Sequence, residues 1–526
     1  MAWKTAERTV SAVHRTRPTQ RQLPCADRHP SGGRQTPGNP VSWKAVHHGG
    51  RTRGRKTMEL RDALEKLLQS SHVAIHSTAE LSGAVARYIA KQDEKRSKDE
   101  KPEVLRKPDI GPVPPAEHRN GFTITPWELL QTFGRATTLS GQNPSRGLSQ
   151  HWNCLRYLTT LEAHGGRMAL SPDGHDPRYH RKGVQAQELG AAFALTAARE
   201  ILQRRHPGYR FEPVDVDLAL DAGWALRGQG AEAKGTRRSR PGHFLVGRKA
   251  GEPLRIALVD GRGSHGQPSA QHNQLMASAE RVQVIALGDG RGSADPLPSL
   301  LMSTAFVAEG GIEIRLLDPV GGGVLAEPGK PSPDPYGPVQ EENFFPDIQT
   351  VDAQGQTTSR PGFHITSDRF EWFSRVLVRA SAAALLTFVG DRDNAYKYLT
   401  ARQQRRLGAD HSPQAVNAEC DVRVELGGIV FVGTDHVFRF ARERVEVFSA
   451  MPKELHEILK TGDGARAYAE KMPEVVAECR RHWAAVQRDW TGIITMDGDG
   501  AVMALRILES EGRALEAIPE PQEGPV

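Results

Sequence analysis

Two carboxylates in the middle of the chain fall at the edges of apolar stretches, where a rigid element would hold them still. Glu188 lies in Q-E-L-G on a long amphipathic segment, and Asp260 closes the apolar run RIALVD two residues before Arg262. Mg2+ prefers near-octahedral oxygen coordination and is usually anchored by one or two carboxylates. Glu188 and Asp260 therefore read as candidate ligands for a metal that activates water. Arg262 is charged at every usable pH and cannot take a proton from water, but it can clamp a phosphate bidentately. Lys234, Arg237, Arg238 and Arg240 in the segment GQGAEAKGTRRSR add a basic cluster suited to phosphate contact.

A second register competes. Glu232-Ala233-Lys234 places a carboxylate and an amine two residues apart, with Asp221 upstream. No apolar strand feeds that segment, and a metal site needs a rigid strand beneath it, so an exposed basic loop is the simpler reading. Other spacings carry less. Gly230 and Gly235-Thr236 lack the Lys-Ser/Thr ending of a phosphate-binding loop. DGRGSHG (260–266) reads as a turn, and His175 and His180 have no helix to align them on a metal. Asp497-Gly-Asp499-Gly fits a hairpin turn better than a calcium loop, because the later ligands are missing.

The elements that must position these groups follow from periodicity. Leu189, Phe193, Leu195, Ala197, Ile201 and Leu202 predict a helix over Val184–His206, stopped by Pro207-Gly208. Three β-prone runs follow at Phe211–Val216, His243–Arg248 and Arg255–Asp260. A helix carries Leu275, Met276, Ala279 and Val282, and Val282–Leu287 and Gly311–Leu317 read as further strands. The expected order is an α/β core, α-β-β-β-α-β, over about 176–320, with helices packed on a mixed sheet. On the N-terminal side, 58–175 reads as a helical region. On the C-terminal side, 321–362 is a Gly/Pro-rich linker and 363–526 an α+β domain, in which VRVEL, IVFVG, HVFRF and RVEVFSA form a meander turning at Gly427-Gly428.

This element order, with one carboxylate on the first helix and another at the end of the third strand, resembles the PD-(D/E)xK nuclease superfamily, the restriction-endonuclease-like fold. The resemblance covers about residues 180–290. It implies Glu188 as the helix Glu, Asp260-Gly261-Arg262 as the (D/E)-x-K, and Gln274 as a supporting Gln on the next helix. The Asp expected at the start of the second strand falls on Gly242, and the Lys has become Arg262. If active, such a protein would be a Mg2+-dependent endonuclease on DNA, of the kind that serves restriction or defence. With two motif positions altered, it would instead be an inactive nuclease-fold scaffold for nucleic acid or protein. A partner subunit docking through its N- or C-terminal region is a third expectation.

Charge narrows the choice. The 526 residues carry +6, but residues 1–57 hold twelve Lys/Arg against Glu7 and Asp27, a local +10 that leaves the remainder at −4. The basic surplus therefore supports no nucleic-acid claim for the folded body; only a local cluster can. That tail lacks apolar periodicity and reads as disordered, and Met58 opens the first helical pattern, so Met58 is a candidate start. Four scattered cysteines exclude a disulfide framework and a Cys-rich zinc site. The longest apolar run, 380–389, is half of what a membrane span needs. With no apolar leader in the tail, the chain reads as cytoplasmic.

Overall fold

Runs that are apolar without alternation suit strands covered on both faces, and the middle of this chain is built from them. The computed structural model describes residues 60–101, 104–139, 150–175, 179–226, 240–288, 295–307, 310–319, 321–351, 356–407, 420–440 and 443–508. Residues 1–57 lie outside the described residues. The chain begins its regular structure with α1 (Leu60–Leu67), β1 (Ser71–His76), α2 (Ala79–Lys98), β2 (Ile110–Gly111), α3 (Pro115–His118), β3 (Gly121–Ile124) and α4 (Pro126–Thr137). A 3-10 segment at Gln150–Tyr157 leads to β4 (Leu161–His164), β5 (Arg167–Leu170), α5 (Pro172–His175) and the long α6 (Tyr179–Arg205). Next come β6 (Arg210–Asp215), α7 (Val216–Asp221), β7 (His243–Arg248), β8 (Arg255–Ser264) and α8 (Pro268–Val282). They are followed by β9 (Ile285–Leu287), β10 (Asp295–Pro296), β11 (Ser299–Val307) and β12 (Gly311–Pro319).

These make a mixed α/β protein around one large sheet. Its strands run in the order β4-β5-β1-β12-β11-β8-β7-β6, with β2 and β3 paired at its margin. β6, β7 and β8 form an antiparallel meander; α8 then crosses over so that β11 lies parallel to β8. β12 turns back antiparallel to β11 and is joined in parallel by β1. Helix α6 covers one face, burying Leu189, Phe193, Ala197 and Ile201 completely. α4 lies on that same face, started by a capping box in which Thr125 and Glu128 satisfy each other's backbone N–H. α8 covers the opposite face, together with α9 (Phe370–Phe388), whose Phe373 meets Phe244 at 5.6 Å between ring centroids.

A separate antiparallel sheet stands near the C-terminus. Beyond the hairpin of β13 (Asp347–Val351) and β14 (Thr357–Pro361) come β15 (Phe363–Ile365), α9, α10 (Arg392–Tyr396) and α11 (Ala401–Arg406). Then β16 (Val422–Leu426), β17 (Ile429–Phe440), β18 (Glu443–Pro452), α12 (Lys453–Leu459), α13 (Ala465–Arg481), α14 (Trp483–Trp490), β19 (Ile493–Met496) and β20 (Val502–Leu508) give a sheet in the order β16-β17-β18-β20-β19. Gly427 and Gly428 turn β16 into β17 at φ +57° and +77°, the paired positive values a two-residue hairpin requires. α4 ties this sheet to the rest: Trp127 Nε1 donates to the Met503 carbonyl at 3.3 Å, and Gln131 Nε2 to that of Ala501 at 2.9 Å. Below them Arg135 pairs with Asp499 at 2.5 Å and Arg199 with Asp497 at 2.7 Å.

Four expectations are corrected. The region 58–175 is not only helical: β1 to β5 come from it and join the large sheet, because strands of two to six residues are too short to show a period between helices. The run Val282–Leu287 is not the core's fourth strand. Its last three residues form β9, in a small sheet with β10 and β15, and the strand parallel to β8 is β11. IVFVG and HVFRF are one strand, β17, running through Thr434-Asp435. The linker 321–362 carries the β13–β14 hairpin. Among the described residues no helix is long and apolar enough to cross a membrane.

Candidate functional site

β8 is the strand from which a site can be built, because it lies inside the sheet with a helix on each face. Its glycines show which side faces which helix. A Cβ on Gly261 would overlap Ala194, and one on Gly263 would overlap the Ala186 carbonyl, both on α6. Gly261 and Gly263 therefore let the α6 backbone settle directly onto the strand. Side chains alternate along a strand, so Asp260 and Arg262 point the other way, toward α8.

On α8, Gln274, Ser278 and Arg281 stand four and three residues apart, one polar stripe on a helix otherwise buried by Leu275, Ala279 and Val282. Each meets β8 or β11. Gln274 donates to the Gly263 carbonyl at 2.8 Å and accepts from Ser303 Oγ at 2.6 Å. Arg281 grips Asp260 side-on, Nε at 3.0 Å from both carboxylate oxygens and Nη2 at 2.5 Å from Oδ2. Ser278 Oγ also donates to Asp260 and lies 3.0 Å from Arg281 Nη2. Asp260 is 3% exposed and Arg281 7%.

The strand register extends this polar face sideways. Arg262 pairs with Ser303 on β11, Ser303 with Arg315 on β12, and Arg315 with His76 on β1, one row across four strands. Arg262 Nε is buried with no hydrogen-bond partner among the described residues. Burial first, then the Arg281 guanidinium, pulls Arg262 below its ordinary pKa, with Asp260 acting in the opposite sense; the group stays charged at neutral pH. Arg315 Nη1 reaches His272 Nε2 at 3.5 Å, and burial lowers both groups. Neither Arg262 nor Arg315 is in an ion pair within the described residues. The far end of the row opens into a cavity of about 380 Å³ between α2 and α8, also lined by Glu313 and the exposed Glu80, and Glu313 meets His76 at 3.4 Å.

The two carboxylates nominated from sequence are not brought together. Glu188 sits on α6, on the other face of β8, where it accepts from Tyr157 and lies 3.5 Å from Arg156. Gly242 contributes no carboxylate beside them. Among the described residues no group of three or more His, Cys, Asp or Glu side chains is placed to hold a metal ion. With both Asp260 oxygens taken by Arg281, the residues present do not fit Mg2+.

Of the basic cluster, Lys234, Arg237 and Arg238 lie outside the described residues, as does Glu232 of the competing register. Arg240 is within them and holds Asp217 bidentately. Asp221 is taken by Arg406 of α11 at 2.9 Å. Arg281, Ser278, Ser303 and Arg315 went unnoticed in the sequence. The polar stripe at helical spacing on α8 was the signal for the first two, while Ser303 and Arg315 become visible only through strand register. No family model, curated protein or solved structure matches this chain.

Proposed function

We propose that this chain is a restriction-endonuclease-like protein that binds nucleic acid without hydrolysing it. The fold half of this reading is supported by α6, β6, β7, β8, α8 and β11, which follow the α-β-β-β-α-β plan with the last strand parallel to the third, once α7 is set aside as an insertion between β6 and β7 and β9 and β10 as strands of another sheet. The non-hydrolytic half rests on one observation: the carboxylate at the metal position, Asp260, is buried and held by Arg281. The binding half is supported by Arg262 and Arg315, two guanidiniums in one row that make no ion pair among the described residues, with Asp260 and Glu313 acting on them only from farther off, since such groups suit phosphate recognition.

The test uses the full chain. Supercoiled plasmid incubated with Mg2+ or Mn2+ stays uncut, while fluorescence anisotropy with labelled single- and double-stranded oligonucleotides reports binding that weakens with salt. Arg262→Glu and Arg315→Glu each weaken it about tenfold or more, since each replaces an attraction with a repulsion. Metal-dependent cleavage that disappears in Asp260→Asn would overturn the non-hydrolytic reading. Affinity indifferent to both charge reversals would overturn the binding reading.

A further inference from the structure

A metal-dependent phosphate site and the face described above present the same charge by different means. One carboxylate with one divalent cation carries a net +1. Asp260 with Arg281 is neutral, and Arg262, on the same α8 side of β8, brings this face to +1. The geometry around Asp260 is that of a filled coordination site. Arg281 Nε and Nη2 take the carboxylate edge on which a cation would sit, and Ser278 Oγ completes the oxygen contacts. The guanidinium comes from the last turn of the crossover helix, and both partners are buried. A buried carboxylate left without its counter-charge is costly, so Arg281 does not swing aside without something cationic replacing it.

We propose that the Arg281 guanidinium occupies the place of a divalent cation at Asp260, so that this face holds phosphate by fixed cationic side chains alone. Metal would enter only when Arg281 is removed. The proposal rests on the restriction-endonuclease-like reading of the core for its comparison with a metal site, but not on nucleic acid being the ligand. A guanidinium supplies charge and hydrogen bonds and carries no exchangeable water, which accounts for binding retained and hydrolysis lost.

The probe is Mn2+ alone, followed by the loss of its free-ion electron paramagnetic resonance signal on mixing with the full chain. Wild type is expected to take up no Mn2+ that Asp260→Asn abolishes. Arg281→Met is expected to take up a single Mn2+ per chain, lost again in Arg281→Met/Asp260→Asn, and to gain thermal stability on Mn2+ addition where wild type gains none. Should Arg281→Met not fold by circular dichroism, Arg281→Gln serves in its place. Uptake by wild type that depends on Asp260 would overturn the proposal, and so would a folded Arg281 variant that takes up none. In parallel, anisotropy with a labelled oligonucleotide should be the same in EDTA and in Mg2+. No oligonucleotide binding under either condition would refute the nucleic-acid reading, while the Mn2+ result continues to decide the role of Arg281.

Discussion

If Asp260 and Arg281 are a structural pair, breaking it should cost stability, and this separates the pair from a catalytic constellation. The two are 3% and 7% exposed and share three nitrogen–oxygen contacts of 2.5–3.0 Å. Removing one partner of such a pair leaves an uncompensated buried charge, a loss of about 3–5 kcal/mol. For a unit of 469 residues, about 2.1 cal/mol/K of unfolding entropy per residue gives roughly 1 kcal/mol/K, so Tm should fall by about 3–5 °C in Asp260→Asn and in Arg281→Met. The double variant removes both charges and should recover most of that loss, giving a favourable coupling energy of about 1–3 kcal/mol in the double-mutant cycle. Differential scanning calorimetry on the three variants and wild type, in EDTA, measures this. Carboxylates arranged for catalysis are often strained, and their removal leaves stability unchanged or raises it. An Asp260→Asn protein as stable as wild type, or more so, would refute the reasoning.

Other expectations concern the scaffold. Gly261→Ala would drive a methyl into Ala194 and should destabilise by about 1–3 kcal/mol, with Ala194→Gly restoring most of it in urea unfolding. Arg135→Ala would orphan Asp499, 6% exposed, and cost about 3–5 kcal/mol, seen as a lower urea midpoint. Burial lifts the Asp221 carboxyl from 3.8 to about 6 against the opposing pull of Arg406. Its proton is therefore held more tightly in the folded chain. The stability from that proton is full below pH 4 and is lost as pH rises through about 6, a change of about 3 kcal/mol. Asp221→Asn should flatten this part of the stability–pH curve; an unchanged slope would contradict the assignment.

What sequence conveys depended on how local the signal was. The run HFLVGR became β7 residue for residue, and RIALVD opened β8, because continuous apolar stretches need burial on both faces wherever they fall. The helix over 184–206 was legible from its stripe and begins slightly earlier, at Tyr179. By contrast, β1 joins β12 across a sequence gap of more than two hundred residues, and nothing in Ser71–His76 names its partner. The candidate site was legible in the same uneven way. Asp260, Arg262 and Gln274 do share one face, since spacing two on a strand and a helix docked above it dictate that. Glu188 was paired with them by element order alone, and order does not say which face of the sheet a helix covers. The turn 497–500 was identified as a turn, but its two aspartates looked ordinary because their partners are on α4 and α6, some three hundred residues earlier.

That last arrangement has a consequence for how the chain is made. Arg135 and Asp499 are separated by 364 positions, and Arg199 and Asp497 by 298. At about 5–20 residues per second of synthesis, Arg135 leaves the ribosome roughly 20–70 s before its counter-ion exists. During that interval the helices over the large sheet carry two cationic side chains whose final burial is impossible. The β19–β20 turn thus supplies the counter-ions of Arg135 and Arg199 only after the strands of the large sheet and the helices that cover it have been synthesised.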